Sequence, residues 1–361
     1  MTHAEFKGPL HEMSATTPTE FWNDSCAVEE LRHAIENGAV GATSNPLIVG
    51  EVLKKEMTEW AGPIRRMIDE MPAATEDEIT WKIIETISAR AAKLLEPIHA
   101  DSGGRRGRLS LQTDPRCYRD AARMVAQAAR FDALAPNMIV KIPVTAAGVE
   151  AIEEATSRGI SINATVSFTV SQAIAVAEAV ERGLKRREAD GLETNRMGPV
   201  CTIMVGRLDD WLKQVAQKDD VVLDPSHLEW AGVAVMKNAY RIYQARGFRT
   251  RLLSAATRNH MHWSEFIGGR VAVTLTHPWQ KRFNRSGIAV TPRMDTPVDD
   301  RIVASLRSHF EDFRRAYDPE GLSAKDFDSF GATRRTLRSF IEGYHELVGV
   351  IRDFMIPDPD R

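Results

Sequence analysis

One lysine stands in the middle of a short apolar run and is the residue best placed to do covalent chemistry. Residues 138–145 read MIVKIPVT, so Lys141 lies among β-branched residues shortly before Pro143. This pattern predicts a buried strand with Ile139 and Lys141 on one face. Burial disfavours the ammonium form, so a lysine that loses its proton there becomes a nucleophile able to condense with a carbonyl group. The alternative is a lysine whose stem packs while its ammonium reaches a carboxylate.

The pattern around this lysine predicts the frame that holds it. Eight short apolar segments alternate with stretches of helical periodicity, which is typical of an α/β fold of the (β/α)8 TIM-barrel type. The predicted strands cover residues 20–24, 40–45, 109–112, 138–145, 160–168, 200–205, 251–255 and 270–275. We expect one domain over residues 1–361, with the barrel at about 20–285 and two additional C-terminal helices at about 295–356 packed on it.

Polar residues stand at or just past the ends of the predicted strands. Catalytic groups of such barrels sit at the carboxyl ends of the strands, whereas an interior built for stability alone favours Val, Ile and Leu. The polar endings are Asp24, Asn45, Gln112, Lys141, Thr165, Thr202 and Arg258. Their convergence around one lysine favours a catalytic site. Taken singly, each Asn could instead brace a turn, and each Arg could form a surface ion pair.

These residue types suit carbon–carbon bond chemistry on a sugar phosphate. The lysine amine condenses with a ketone, and Asp24 is the carboxylate available to move a proton as the bond breaks. The amides of Asn45 and Asn163 can bond to sugar hydroxyls without adding charge. Arg207 and Arg258 can hold a phosphate by their forked donors.

Composition and charge exclude other classes of partner. The formal net charge of -3 gives no bulk attraction for nucleic acid or an anionic membrane. No apolar run is long enough to span a bilayer, and the N-terminal residues lack a signal-peptide pattern. A cytoplasmic location is therefore the expectation.

Cysteines and histidines give no metal-site pattern. Cys26, Cys117 and Cys201 are odd in number and lack CxxC spacing, which argues against disulfides and a cysteine metal site. His260 and His262 form an HxH pair, which a metal-dependent hydrolase would use, but no matched carboxylate–histidine set accompanies them. We expect these two to be surface histidines.

Six motifs, taken in chain order, resemble those of the transaldolases, a family within the class I aldolases. They are FWNDS with Asp24, GATSNPLI with Asn45, IVKIPVT with Lys141, GISINATVSFTVSQA with Asn163 and Thr165, MVGRLDDW with Arg207, and SAATRN with Arg258. The resemblance covers residues 21–275, and the C-terminal helices are similar to those of longer members. It implies a barrel enzyme of carbohydrate metabolism, in the pentose phosphate pathway, that acts on sugar phosphates without metal or organic cofactor. A homodimer is left open.

The resemblance also implies a role for each matching residue. Lys141 would form a Schiff base with a ketose phosphate, and the dihydroxyacetone unit held there would pass to an aldose phosphate. Asp24 would be the general acid and base for bond cleavage, and Thr165 would help to hold the catalytic water. The other implied contacts are to the dihydroxyacetone hydroxyls by Asn45 and Asn163, and to phosphate by Thr202, Arg207 and Arg258.

Three departures from the family pattern leave alternatives open. Gln112 stands where transaldolases carry a glutamate, and a glutamine can hold a water molecule but cannot take its proton. Met204 replaces an aromatic ring lining the site, and its flexible thioether would reshape the pocket. Residues 185–197 are expected to form an exposed polar insertion.

The alternatives are two enzymes and one binding protein. Related fructose 6-phosphate aldolases carry glutamine at the position of Gln112, so a lyase that releases dihydroxyacetone is one of them. A transaldolase specialised for another sugar is the second. The third is a non-catalytic sugar-phosphate-binding barrel.

Overall fold

Eight parallel strands close into a barrel in the computed structural model, which describes residues 6–359. They are β1 (Glu20–Asn23), β2 (Gly41–Thr43), β3 (Arg108–Gln112), β4 (Met138–Pro143), β5 (Ile162–Ser167), β6 (Val200–Ile203), β7 (Arg251–Ser254) and β8 (Ala272–Leu275). Each strand pairs in parallel with the next along the chain, and β8 pairs with β1 to close the ring. The predicted (β/α)8 TIM-type barrel is therefore confirmed.

Helices follow or surround the strands. They are α1 (Pro9–Thr16), α2 (Val28–Glu36), α3 (Pro46–Glu70), α4 (Glu76–Asp101), α5 (Ala121–Asp132), α6 (Ala146–Ser157), α7 (Val170–Ala189), α8 (Val205–Lys218), α9 (Pro225–Leu228), α10 (Ala231–Arg246), α11 (Met261–Ser264), α12 (His277–Asn284), α13 (Asp300–His309), α14 (Glu311–Tyr317) and α15 (Gly331–Met355). Short 3-10 helices occupy Pro115–Cys117 and Ala324–Ser329. Within residues 6–359, every helix is too short or too polar to cross a bilayer.

The C-terminal region contains three helices where two were expected. Phe310 separates α13 from α14, because its backbone is extended (φ −125°, ψ 116°) and its ring is buried. The last helix, α15, packs against α3, α4 and α8. A Cβ on Gly343 would lie 2.6 Å from Leu47 Cδ1, so this glycine permits the close approach of α15 to α3. The packing brings Phe340 to a cavity at the barrel mouth.

The polar insertion expected at residues 185–197 is smaller than predicted. Residues 185–189 continue α7, so the loop before β6 begins at Asp190. Two polar residues of this last helical turn form ion pairs with other segments, Arg186 with α6 and Glu188 with Arg249 before β7. Arg186, for example, lies 2.9 Å from Glu154.

The barrel interior is layered along β4. Ile139 belongs to an apolar interior layer that also contains Trp22, Val200, Leu253, Ala255 and Ala272. Val140 and Ile142 belong instead to the larger core between the barrel and its helices. Because side chains alternate along a strand, Lys141 points into the barrel, one layer above Ile139.

Strand β5 is irregular beside the lysine. Its register against β6 shifts between Ala164 and Ser167, and Val166 has φ 54°, which is strained for a β-branched residue. Buried Gln172 braces this bulge. Its Nε2 donates to the carbonyls of Val144 (3.0 Å) and Val166 (3.2 Å), and its Oε1 accepts the N–H of Phe168 (2.9 Å).

We expect Gln172→Leu to lower the free energy of unfolding by about 2 to 4 kcal/mol, since it leaves buried main-chain groups without partners. Urea denaturation of the variant and the native protein measures the difference. The exposed Gln217 of α8 provides the matched control, and Gln217→Leu should change stability by less than about 0.5 kcal/mol. Equal small effects of the two changes would show that the bulge does not depend on Gln172.

Candidate active site

A cavity of about 510 Å³ opens at the carboxyl end of the barrel and is termed the mouth cavity. Eight of the ten residues that the sequence nominates line it: Asp24, Asn45, Lys141, Thr165, Thr202, Met204, Arg207 and Arg258. Gln112 and Asn163 do not line it, but they are buried next to Lys141 on the two flanking strands. Other residues of the cavity wall were not predicted from the sequence, among them Thr43, Thr274 and Phe340.

Lys141 presents an unpaired amine to this cavity. The residue is only 5% exposed, and no side chain of residues 6–359 forms a hydrogen bond or salt bridge with its Nζ. Burial lowers the pKa of Lys141, the carboxylate of Asp24 opposes that shift, and the positive charge of Arg207 adds to it. This arrangement favours the free nucleophilic amine over a lysine whose head reaches a carboxylate.

Asp24 is held just beyond β1 by a chain of hydroxyls. Thr43 Oγ1 donates to Asp24 Oδ1 at 2.5 Å, and the Thr274 hydroxyl lies 2.9 Å from Thr43 Oγ1. Because the hydroxyl hydrogen of Thr43 is used on Asp24, the hydroxyl of Thr274 must donate to Thr43. The alternation of Thr43 with Asn45 was the only sequence signal for the middle member of this chain. The carboxylate is thereby oriented without being neutralised.

A second chain of polar groups lies on the other side of Lys141. The Asn163 Nδ2 donates to Ser110 Oγ at 3.0 Å, and its Oδ1 accepts the Thr202 hydroxyl at 2.7 Å. Thr202 therefore has no hydroxyl hydrogen left for a phosphate in this arrangement, which favours a structural part for it over the phosphate contact implied by the resemblance. Gln112 is buried beside Lys141, and its Oε1 has no partner among the described residues.

Asn45 and Thr165 keep polar atoms that are not used by the fold. Asn45 Oδ1 accepts the N–H of Ile48 at 2.9 Å and caps α3, so the amide does brace a turn as the simpler interpretation held. Its amide nitrogen forms no hydrogen bond within residues 6–359 and can donate into the cavity. The buried Thr165 hydroxyl likewise has no partner in the described part of the chain.

The two arginines of the cavity differ in their pairing. Arg207 has its guanidinium carbon 5.2 Å from the ring centroid of Phe340, and it forms no ion pair or hydrogen bond with the side chains of residues 6–359. Burial lowers the pKa of Arg207, and the positive charge of Arg258 lowers it further. Arg258 instead forms a salt bridge to Asp210 at 2.9 Å. An anion placed between the two guanidinium groups would relieve their repulsion.

Two sulfur-bearing residues complete the surroundings. Met204 is buried in the cavity wall at the start of α8. Burial raises the pKa of the Cys26 thiol to about 12, so this cysteine stays protonated and is not a competing nucleophile.

The expectation of surface histidines is wrong for His262. His260 is exposed, but His262 is fully buried, because both of its ring nitrogens have hydrogen-bond partners in the interior. The HxH spacing therefore reflects one exposed and one structural histidine. No group of three potential metal-ligating side chains occurs among residues 6–359.

Residues 21–320 match the family described as Transaldolase/Fructose-6-phosphate aldolase. The chain belongs to this family. It is 32% identical over 234 residues to a transaldolase of Thiobacillus denitrificans, a match covering 62% of this chain and 63% of that protein. It is 30% identical over 250 residues to a transaldolase of Thermobifida fusca, covering 66% and 65% of the two chains. The chain thus spans less than two thirds of the length of these relatives.

Membership of the transaldolase/fructose-6-phosphate aldolase family confirms the resemblance drawn from the motifs. The family name joins two enzymes, which correspond to the transferase and the lyase alternatives. The roles assigned to individual residues stay predictions, and the geometry of the cavity is the basis on which they are argued below.

The unpaired state of Lys141 leads us to expect a pH-dependent effect on the free energy of unfolding. The lowered pKa means that the unfolded chain binds a proton which the native state releases, so native stability rises with pH between the folded pKa and about 10.5. We expect Lys141→Met to be more stable than the native protein at pH 6, because it removes the cost of burying an amine that is protonated in the unfolded chain. The advantage should shrink as the pH approaches 10.

Urea titrations at pH 6, 8 and 9.5 measure this trend. Lys237→Met is the matched control, because Lys237 is also buried but lies 2.7 Å from Glu265. Its removal leaves that carboxylate unpaired and should destabilise the protein. A Lys141→Met variant that is less stable at every pH would mean that the amine is paired in solution.

Proposed function

We propose that this chain transfers a dihydroxyacetone unit from a ketose phosphate to an aldose phosphate through a Schiff base on Lys141. The observation that carries the proposal is the pair of unpartnered cationic side chains, Lys141 and Arg207, in one cavity with Asp24. An unpaired buried amine can attack a ketone, and an unpaired arginine can bind the phosphate. The names of the related transaldolases agree with this reaction.

The reaction needs no group beyond those in the cavity. The Lys141 Nζ attacks the ketone carbon, and loss of water leaves an iminium ion. Asp24 accepts the proton of the 4-hydroxyl as the bond between carbons 3 and 4 breaks, and the electron pair of that bond enters the iminium to form an enamine. The aldehyde fragment leaves. An acceptor aldehyde then adds to the enamine, which becomes an iminium ion again, and Asp24 returns the proton to the new hydroxyl. Water hydrolyses this iminium ion and releases the product ketose and the free Lys141 amine.

The fate of the enamine distinguishes the two enzyme alternatives. A transferase keeps the three-carbon unit until an aldehyde arrives, whereas a lyase protonates it and hydrolyses the Schiff base. Gln112 favours the lyase as the second candidate, because its unpartnered Oε1 is buried next to Lys141 and can accept a hydrogen bond from a water molecule. A transaldolase specialised for another sugar uses the same steps.

The proposed reaction also indicates which substrates the protein uses and where it acts. Sugar phosphates of the pentose phosphate pathway are the proposed substrates. The three free cysteines support a cytoplasmic location, where thiols remain reduced. A homodimer stays a prediction.

Borohydride reduction after incubation with fructose 6-phosphate should trap a covalent adduct on Lys141, because the reagent converts the iminium to a stable amine. Peptide mass spectrometry identifies the modified residue, and Lys141→Met is the control that should give no adduct. Turnover of fructose 6-phosphate should then depend on an added aldose phosphate.

Two other outcomes would change the assignment. Turnover that is indifferent to the acceptor, with free dihydroxyacetone released, would replace the transferase by the lyase. Binding of fructose 6-phosphate without any adduct, from this sugar or from dihydroxyacetone, would leave only the sugar-phosphate-binding barrel.

Replacement of Arg207 should affect phosphorylated substrates selectively. We expect Arg207→Met to raise KM for fructose 6-phosphate about 10- to 100-fold, the loss expected for one or two hydrogen bonds to a charged group. Adduct formation with unphosphorylated dihydroxyacetone should change little. Arg335 of α15, an exposed arginine whose charge also acts on Arg207, is the control. If Arg335→Met raised KM equally, the positive electrostatic potential of the cavity, and not direct contact with Arg207, would account for phosphate binding.

A further inference from the structure

A buried histidine joins the two segments that carry Arg207 and Arg258. The Nδ1 of His262 accepts the main-chain N–H of Arg258 at 3.1 Å, and its Nε2 lies 2.8 Å from Oδ2 of Asp209. A main-chain N–H can only donate, so Nδ1 carries no hydrogen and Nε2 carries the proton. The two hydrogen bonds therefore specify one neutral tautomer of His262.

Asp209 anchors this histidine to the rest of the barrel. It is fully buried on α8, two residues after Arg207. Its Oδ1 accepts the N–H of Gly232, in the first turn of α10, at 2.8 Å. Both carboxylate oxygens are thus engaged, and Asp209 connects α8, α10 and His262.

The same two segments also touch through their main chains. A Cβ on Gly206 would lie 1.8 Å from the carbonyl oxygen of Ala256, so only glycine fits at the start of α8. Ala256 has φ 65°, a left-handed conformation that costs energy for a residue with a Cβ. Residues 256–258 therefore need an outside contact to hold them, and the hydrogen bond from the Arg258 N–H to His262 is such a contact.

We propose that Asp209 and His262 are a positioning pair for the phosphate-binding arginines. Asp209 holds His262 in the tautomer with the proton on Nε2, and His262 in turn fixes the main chain of Arg258 relative to Arg207. Neither member of the pair lines the mouth cavity, so the pair acts through the arginines. The proposal rests on the proposed function only in taking Arg207 and Arg258 as the phosphate ligands.

The isosteric change Asp209→Asn tests the tautomer directly. If the amide oxygen stays on the Gly232 N–H, its NH2 group faces Nε2, and the proton of His262 moves to Nδ1, where it opposes the Arg258 N–H. If the amide flips, its NH2 group instead faces the N–H of Gly232, and two donors oppose each other there. We expect the dissociation constant for inorganic phosphate, measured by titration calorimetry, to rise about tenfold or more, the size of effect seen when an orienting partner is lost. Adduct formation with dihydroxyacetone should change less than about twofold.

Asp210→Asn is the matched control, because it removes the same charge from the adjacent position of α8. It breaks the salt bridge to Arg258 while leaving His262 untouched, so phosphate should bind as well as before or more tightly. Equal losses for the two variants would mean that the arginines are not positioned specifically through His262. An unchanged dissociation constant for folded Asp209→Asn would also overturn the proposal.

Two further measurements test the proposal even if Asp209→Asn does not fold. The ¹⁵N chemical shifts of the histidine ring in the native protein distinguish protonated from unprotonated nitrogens, and a protonated Nδ1 in His262 would contradict the proposal. His262→Asn keeps an acceptor near the Arg258 N–H and should retain phosphate affinity better than His262→Ala; equal losses would count against the pair.

The proposed function is tested separately. If the native protein does not form a Schiff base, the proposed enzymatic activity is excluded. The effect of Asp209→Asn on phosphate binding would still decide whether Asp209 and His262 position the arginines.

Discussion

Keeping the amine of Lys141 buried and unpaired is the constraint that shapes the barrel mouth. Burying an ammonium ion without a partner costs free energy. A carboxylate within salt-bridge distance would offset that cost but would hold the amine in its protonated form. The structure avoids the pairing by engaging the nearby polar groups with one another. Thr43 donates to Asp24 on one side, and Thr202 donates to Asn163 on the other. The lysine is left with a lowered pKa and with no side-chain partner in the described chain.

This constraint explains why the polar residues come from many strands. No single element can satisfy Asp24, Asn163 and Thr202 while leaving Lys141 free, but adjacent parallel strands place their inward side chains at matching heights. The register pairs Gln112 with Lys141 and Lys141 with Asn163. The apolar layer around Ile139 closes the barrel below and excludes water from that side. The rest of the apolar core supplies the folding free energy that offsets the cost of burying this amine.

Much of this arrangement could be predicted from the sequence because it depends on local pattern. The alternation of side chains placed Lys141 inside the barrel, and the strand ends located six of the wall residues, Lys141 among them. The split of the C-terminal region at Phe310 depends on where an aromatic ring finds a core, which local periodicity does not encode. Phe340 lies more than 130 positions after Arg207 in the chain, so no short-range signal joins them. The buried state of His262 depends on Asp209, 53 residues away, for the same reason.

The two arginines of the cavity differ in pairing, and Arg207, like Lys141, is left without an ion-pair partner in the described chain. Arg207 is partly desolvated against the ring of Phe340 and repelled by Arg258, so its positive charge is poorly satisfied until an anion arrives. Arg258 is more exposed and is already paired with Asp210, so its charge costs less free energy to maintain. To bind an anion, its guanidinium group would have to give up part of the salt bridge to Asp210. If Arg207 binds phosphate as proposed, the anion would also reduce the positive field that lowers the pKa of Lys141. The proposed phosphate site and the proposed nucleophile are therefore linked electrostatically, because the charge of Arg207 lowers the pKa of Lys141.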